Sequence, residues 1–274
     1  MSNNNNNMIS NIAKELEILV AKPHSLGLRN SGLTGISLFF FHYARFTGDE
    51  RYVELANDSI EKAISIASRY MSYYFAPEFA DIGRTVEQLA NEKFIEVEAD
   101  EFAGYFGEPL MRRLRDDMGI DFRFRTGITG ICDFFLNKAN SQEALDITFG
   151  HIYSALKVKG YSKHPVEPLF LFPSEILRDV KIFFLKMEKL HIPIPHKELL
   201  EQAIRRLESK KILHSNCHEY YVFQDLREAG ILEDKQKAQA LLEEVATNSS
   251  DLVFKGLAAL SLENMDLPAW WKLI

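Results

Sequence analysis

A glycine-containing phrase recurs along this chain, and it constrains the fold more than any other feature of the sequence. Two copies are strong: Gly32-Leu33-Thr34-Gly35-Ile36 and Gly127-Ile128-Thr129-Gly130-Ile131, each followed at once by an apolar run. Weaker copies occupy Phe79–Gly83 and Gly256–Leu260. Neighbouring copies lie about 45–50 residues apart, or about twice that across a faded copy, which is the length of one helical hairpin in a repeat protein. We therefore predict that each copy opens an apolar helix.

Two kinds of helix alternate along the chain. The helix predicted over 33–46 is apolar nearly all round, whereas the next one carries a one-sided stripe from Tyr52 to Ala67 at three- and four-residue spacing. Between them, Gly48 suits a left-handed helix end and Asp49 suits the cap of the next helix. This difference is typical of an inner and an outer layer. The sequence therefore predicts an all-α, two-layered domain of about six helical hairpins.

Composition places the chain in a broad class. It has 274 residues, of which 46% are hydrophobic and 26% charged, as in ordinary globular domains. The formal net charge of −7 argues against nucleic acid as a partner. No apolar run is long enough for membrane insertion, and the Asn-rich N-terminus lacks the pattern of a signal peptide. We predict a disordered tail over 1–7 and a single domain over 8–274.

Cysteine usage suggests the compartment. Cys132 and Cys217 are the two cysteines of the chain, and they form no CxxC pair. Such usage suits a reducing environment, so we predict a cytoplasmic protein.

The glycines at the predicted helix starts have two readings. Two glycines three residues apart allow close helix packing or an unusual backbone angle at the cap. They also expose backbone N–H groups, which bind a carboxylate or phosphate at other helix starts. The packing reading is favoured, because every repeat needs packing and at most one repeat needs a ligand.

Three segments resemble the lanthionine synthetase C-like (LanC-like) family. They are the hairpin from Gly32 to Tyr52, the segment 79–96 and the closing segment 256–268. The resemblance implies the (α/α) toroid. It also implies a zinc ion at the cavity, held by two cysteines and one histidine, that activates a peptide cysteine thiolate. This thiolate then adds to a dehydrated Ser or Thr to form a thioether ring.

The zinc motif of that family is incomplete here. Cys217-His218 stands where the paired motif is expected, but Glu219 replaces the usual glycine. No second cysteine lies around 169–175, and the chain is shorter than typical members. The candidate metal ligands are therefore His214, Cys217 and His218, either as an altered zinc site or as a helix entry with a buried thiol and two solvated histidines. We expect no cofactor, and zinc is the one candidate if a cofactor is bound.

Carboxylates on the inner-type helices form a second candidate site. They are Asp81, Glu87, Asp133, Glu175, Asp179 and Asp225, of which Asp81, Glu175 and Asp179 are the catalytic candidates. Toroids of this kind also house glycosidases that use two carboxylates. The favoured alternative is that these groups are capped, solvated, or paired with Arg84, Arg178 or Arg227.

Three hypotheses follow, in this order. The first is a LanC-like protein without the complete zinc site, acting as a peptide-binding or accessory protein in modified-peptide biosynthesis. The second is a zinc-dependent cyclase with an altered site at Cys217 and His218. The third is an (α/α) carbohydrate-active enzyme. The expected partners are a peptide substrate or a peptide-modifying enzyme.

Overall fold

The computed structural model describes residues 2–22, 27, 32–69, 76–97, 99–116, 121–124, 127–156, 174–208 and 218–263. Within these ranges the chain forms α-helices and no strand, which confirms the predicted all-α class. The helices are α1 (Ser2–Val20), α2 (Leu33–Thr47), α3 (Arg51–Arg69), α4 (Ala76–Asn91), α5 (Ala99–Arg115), α6 (Ile128–Phe135), α7 (Ser141–Ala155), α8 (Ser174–Lys189), α9 (Lys197–Glu208), α10 (His218–Leu232), α11 (Lys235–Asn248) and α12 (Leu252–Glu263).

The first hairpin shows the two predicted kinds of helix. Every residue of α2 from 33 to 44 is buried. In α3 the buried residues form one stripe, namely Tyr52, Ala56, Ser59, Ile60, Ala63 and Ala67. A helix buried on all sides is surrounded by protein, and a helix with one buried stripe presents its other face to solvent.

The even-numbered helices contact one another in chain order. α2 packs on α4, α4 on α6, α6 on α8 and α8 on α10, and α12 packs on α2. The rings of Phe223 in α10 and Phe254 in α12 lie 4.8 Å apart. Beside this series lie α3 on α2, α5 on α4, α7 on α6, α11 on α10 and α1 on α12. A ring of hairpins requires this order of contacts, and the closed toroid stays a prediction.

The turn between α2 and α3 forms as the sequence predicts. Gly48 ends α2 with a φ of 73°, and its N–H donates to the carbonyl of Ala44 at 2.8 Å. Asp49 Oδ1 accepts from the N–H of Arg51, the first residue of α3, at 3.1 Å. Glycine populates this left-handed region without the steric cost of a side chain, which fixes the direction of the chain at this point.

At both strong phrases a backbone carbonyl from earlier in the chain lies over the helix start. The N–H of Leu33 donates to the Gly27 carbonyl at 2.9 Å, and that of Ile128 donates to the Asp121 carbonyl at 2.7 Å. A Cβ on Gly32 or on Gly127 would lie 2.0 Å from the same carbonyl oxygens. The glycines therefore make room for backbone that caps the helix. This supports the interpretation that they serve packing over the interpretation that they bind a ligand.

The two weaker copies do not open helices, so that part of the prediction is wrong. Gly83 lies inside α4 and Gly256 lies inside α12. A Cβ at Gly83 would lie 2.3 Å from a ring carbon of Phe134, and one at Gly256 would lie 2.6 Å from a ring carbon of Phe39. Each phenylalanine is the seventh residue after the first glycine of its strong phrase. The glycines of the weak copies thus leave space for phenylalanine rings that follow the strong copies.

Three of the even-numbered helices end on a residue other than glycine in the left-handed region. These residues are Lys93 after α4, His191 after α8 and Glu233 after α10. In each case the next N–H donates back to the helix, for example from Asp234 to the Ala229 carbonyl at 2.9 Å. α10 accordingly continues through Gly230 and ends at Leu232, directly before Glu233.

The Asn-rich residues 2–7, predicted to be a disordered tail, lie in α1. The Asn5 side-chain amide donates to the Glu263 carboxylate at the end of α12 at 2.7 Å, which ties this segment to the other end of the chain. None of the described helices combines the length and apolar character that a membrane crossing requires.

Candidate functional site

Phe124 lies where three of the even-numbered helices approach one another. It belongs to the short segment 121–124 between α5 and α6, and its side chain is buried. The guanidinium carbon of Arg84 (α4) lies 4.7 Å from its ring centroid, and that of Arg227 (α10) lies 4.0 Å away. One aromatic ring therefore contacts two buried cations, an arrangement that is strongest where water is excluded.

Asp179 of α8 connects this ring to its surroundings. Its carboxylate accepts from the backbone N–H of Phe124 at 2.9 Å and from the Gln224 amide at 3.1 Å. It also accepts from the Tyr220 hydroxyl and the Arg227 guanidinium. Burial and the neighbouring carboxylate raise the pKa of Tyr220 well above its ordinary value of 10, so the hydroxyl remains a donor. One buried carboxylate thus joins α8, α10 and the segment before α6.

Asp81 occupies the corresponding place on α4. Its carboxylate pairs with the Arg84 guanidinium, and both side chains are buried. Arg84 also donates to the Gly130 carbonyl at 2.5 Å. A Cβ on Gly130 would lie 1.8 Å from the Phe124 carbonyl oxygen, so this glycine of the strong phrase lets the ring-bearing segment pass close to α6.

The other candidate carboxylates are paired as well. Glu87 lies 3.0 Å from the Lys138 ammonium, Asp133 pairs with Lys186, and Asp225 pairs with Arg178. Glu175 falls in the first turn of α8, and its side chain lies outside the described part of the structure. Each of the five described carboxylates predicted on the inner helices therefore has a cationic partner.

The predicted metal ligands are only partly described. His218 is the first residue of α10, its side chain is 82% exposed, and its Nε2 lies 2.7 Å from Glu244 Oε1. His214 and Cys217 lie outside the described residues. Within the described ranges, no three His, Cys, Asp or Glu side chains are grouped as metal ligands would be. Cys132 is buried in the core, and burial raises the pKa of its thiol to about 12.

An interior cavity of about 280 Å³ adjoins the buried network. It reaches from Phe124 to the C-terminal ends of α8 and α10. Its walls combine apolar and charged side chains: Phe124, Ile182, Phe183, Leu190 and Ile231 with Asp133, Lys186, Lys189, Arg227 and Glu233. We refer to it as the interior cavity.

A larger groove of about 850 Å³ lies on the other side of α8, between α8 and α9. Its floor is apolar and consists of Leu177, Ile182, Phe184, Leu185, Ile194, Leu200, Ile204 and Leu207. Ion pairs join the two helices at its ends, from Lys181 to Glu208 at 2.7 Å and from Glu188 to Lys197 at 2.6 Å. We refer to it as the α8–α9 groove.

Sequence reasoning found the charged members of the network and missed its centre. It proposed Arg84 and Arg227 as partners of the inner carboxylates, and the structure pairs them with Asp81 and Asp179. The sequence does not single out Phe124, because one phenylalanine among 20 carries no distinguishing signal.

Comparisons with protein families, with curated proteins and with solved structures find no match for this chain.

Proposed function

We propose that this chain is a non-catalytic, peptide-binding (α/α) toroid of LanC-like type, which acts as an accessory protein in the biosynthesis of modified peptides. The α8–α9 groove is the observation that carries the proposal. The order of helix contacts, including α12 on α2, supports the toroid. The resemblance of the glycine phrases supports the family.

The α8–α9 groove has the dimensions and chemistry of a peptide-binding site. Its volume of about 850 Å³ lies in the range of pockets that bury most of an organic ligand, about 300–1,000 Å³. The apolar floor suits apolar side chains of a peptide, as in helix-in-groove recognition. The rim carries both charge signs, with Arg178, Lys197 and Arg205 near Glu201 and Glu228. A peptide with apolar anchors and flanking charges of both signs matches this surface.

The paired carboxylates support a non-catalytic interior. A glycosidase of this type needs two carboxyl groups with substrate between them, separated by about 5–10 Å. Here Asp81 and Asp179 each hold a buried arginine, and both guanidinium groups contact the ring of Phe124. Two carboxylates engaged in this way are structural partners of the arginines.

Peptide binding is tested by selecting peptides that bind to the full chain. A phage-displayed library of random 16-residue peptides is selected, and an enriched peptide is synthesised with a fluorophore. We expect Leu185→Glu, which places a charge in the groove floor, to weaken binding by about tenfold or more because the apolar contact is lost. Fluorescence anisotropy gives the dissociation constants.

Leu199→Glu is the matched control, because Leu199 is an exposed leucine of α9 that does not line the groove. This variant is expected to bind the peptide like the unmodified chain. Equal weakening by both variants, or a library that yields no enriched peptide, would contradict the proposal. If the gene neighbourhood encodes a Ser-, Thr- and Cys-rich precursor, that peptide is the natural second probe, since its binding would tie the groove to the pathway.

Zinc content separates this proposal from the cyclase hypothesis. We expect protein purified without added zinc to contain far less than one zinc ion per chain, because the sequence supplies Cys217-His218 without the second cysteine. Inductively coupled plasma mass spectrometry measures the ratio. Near-stoichiometric zinc that disappears in Cys217→Ala, and persists in Cys132→Ala, would instead establish the altered zinc site.

A further inference from the structure

The interior cavity has features that the α8–α9 groove does not share. Its volume of about 280 Å³ lies just below the usual range for drug-sized ligands, so it suits a body the size of a single apolar residue. Two aromatic rings, Phe124 and Phe183, and three aliphatic side chains form its apolar walls. α8 separates the two sites, since Ile182 borders both.

Each of the three cations of the interior cavity has a carboxylate partner. A ligand anion would therefore bind through N–H donors that these pairs leave over. Three cations, Lys186, Lys189 and Arg227, line the cavity with two carboxylates, Asp133 and Glu233. Arg227 is held by Asp179 and by the Phe124 ring, so it shapes the wall. Lys186 and Lys189 belong to the last turn of α8, where a cation offsets the partial negative charge of the helix end.

Lys186 is the group best placed to receive a ligand anion. An ammonium has three N–H donors, and Asp133 accepts one of them. The Lys186 side chain is 30% exposed, whereas that of Asp133 is 5% exposed. The carboxylate therefore lies deeper and holds the ammonium at the cavity wall. At the rim, Lys189 pairs with Glu233 at 3.2 Å and links α8 to the end of α10.

We propose that the interior cavity binds a carboxylate carried on a small apolar body, with the carboxylate on Lys186 and the body against Phe124 and Phe183. Two sources share this chemistry, a free branched-chain acid and the C-terminal residue of a peptide. The proposal stands independently of the α8–α9 groove.

Isothermal titration calorimetry on the full chain tests the site with three probes: 4-methylpentanoic acid, N-acetyl-L-leucine and N-acetyl-L-leucinamide. We expect at least one of the two acids to bind. The amide is expected to bind at least about tenfold more weakly than that acid, because it lacks the negative charge that pairs with Lys186. Tighter binding of N-acetyl-L-leucine than of 4-methylpentanoic acid identifies a peptide end. Equal or tighter binding of 4-methylpentanoic acid identifies a free acid.

The variant that tests the role of Lys186 is Lys186→Met with Asp133→Asn, which removes both charges and leaves no charge unpaired. It is expected to lose the preference for acid over amide, while circular dichroism reports the retained helix content. Lys255→Met, a surface lysine of α12, should keep that preference. Equal affinity for acid and amide, no binding of either acid, or an unchanged preference in the double variant would overturn the proposal.

Leu185→Glu keeps the two proposals distinguishable. It is expected to weaken peptide binding in the groove and to leave acid binding in the interior cavity unchanged. Loss of acid binding in this variant would mean that the probes occupy the groove, which overturns the interior site and leaves the groove proposal standing.

Discussion

Replacing Asp179 by alanine is expected to lower the free energy of unfolding by about 3–5 kcal/mol, the usual cost of removing one partner of a buried ion pair. The Arg227 guanidinium would remain buried without its carboxylate, and the Tyr220 hydroxyl, the Gln224 amide and the Phe124 N–H would each lose an acceptor. Urea denaturation followed by circular dichroism at 222 nm gives this quantity.

Asp225→Ala is the control for this prediction, because it removes an Asp–Arg pair from the half-buried surface. Asp225 and Arg178 are 28% and 29% exposed, and such pairs contribute about 1 kcal/mol or less. If Asp179→Ala does not fold, Tyr220→Phe removes one donor alone and is expected to cost about 1 kcal/mol. Similar losses in Asp179→Ala and Asp225→Ala would show that the network around Phe124 does not hold these helices together.

Gly83→Ala and Gly256→Ala are each expected to destabilise the protein by about 1–3 kcal/mol, the usual cost of overpacking a core. The added methyl group would overlap the ring of Phe134 in the first case and of Phe39 in the second. Gly150→Ala in α7 is the matched control, since nothing lies within 4 Å of its Cβ position. There, alanine is expected to stabilise the helix by about 0.5–1 kcal/mol.

A double variant identifies the ring as the cause. Gly83→Ala with Phe134→Leu is expected to be less destabilised than the two single changes predict together, because the smaller side chain leaves room for the methyl group. The free energies of unfolding of the four proteins form the cycle. Strict additivity would contradict a direct contact between Gly83 and Phe134.

The helical class and the two kinds of helix in the first hairpin could be predicted because they depend on periodic signals. The stripe from Tyr52 to Ala67 and the Gly48–Asp49 turn are local patterns, and the structure reproduces both. The role of Gly83 and Gly256 could not be predicted. In the sequence, a glycine that makes room for an aromatic ring of another helix looks the same as a glycine at a helix start. Their function in packing depends on which helices become neighbours.

The candidate site depends even more on tertiary contacts. The pairing of Asp179 with Arg227 joins residues 48 positions apart, and the pairing of Arg84 with Gly130 spans 46. From the sequence alone, each candidate carboxylate could pair with Arg84, Arg178 or Arg227. Phe124, which both arginines contact, was identified only from the structure. The α8–α9 groove likewise arises from the separation of two helices whose individual patterns are ordinary.

Hydrogen–deuterium exchange of the full chain, with and without a selected peptide, tests most directly whether the α8–α9 groove is the binding surface. We expect the peptide to slow exchange mainly within 177–188 and 197–208, the segments that supply most of the groove lining. Unchanged exchange in 197–208, with slowed exchange elsewhere, would contradict peptide binding in the groove, because α9 lines the groove and does not line the interior cavity.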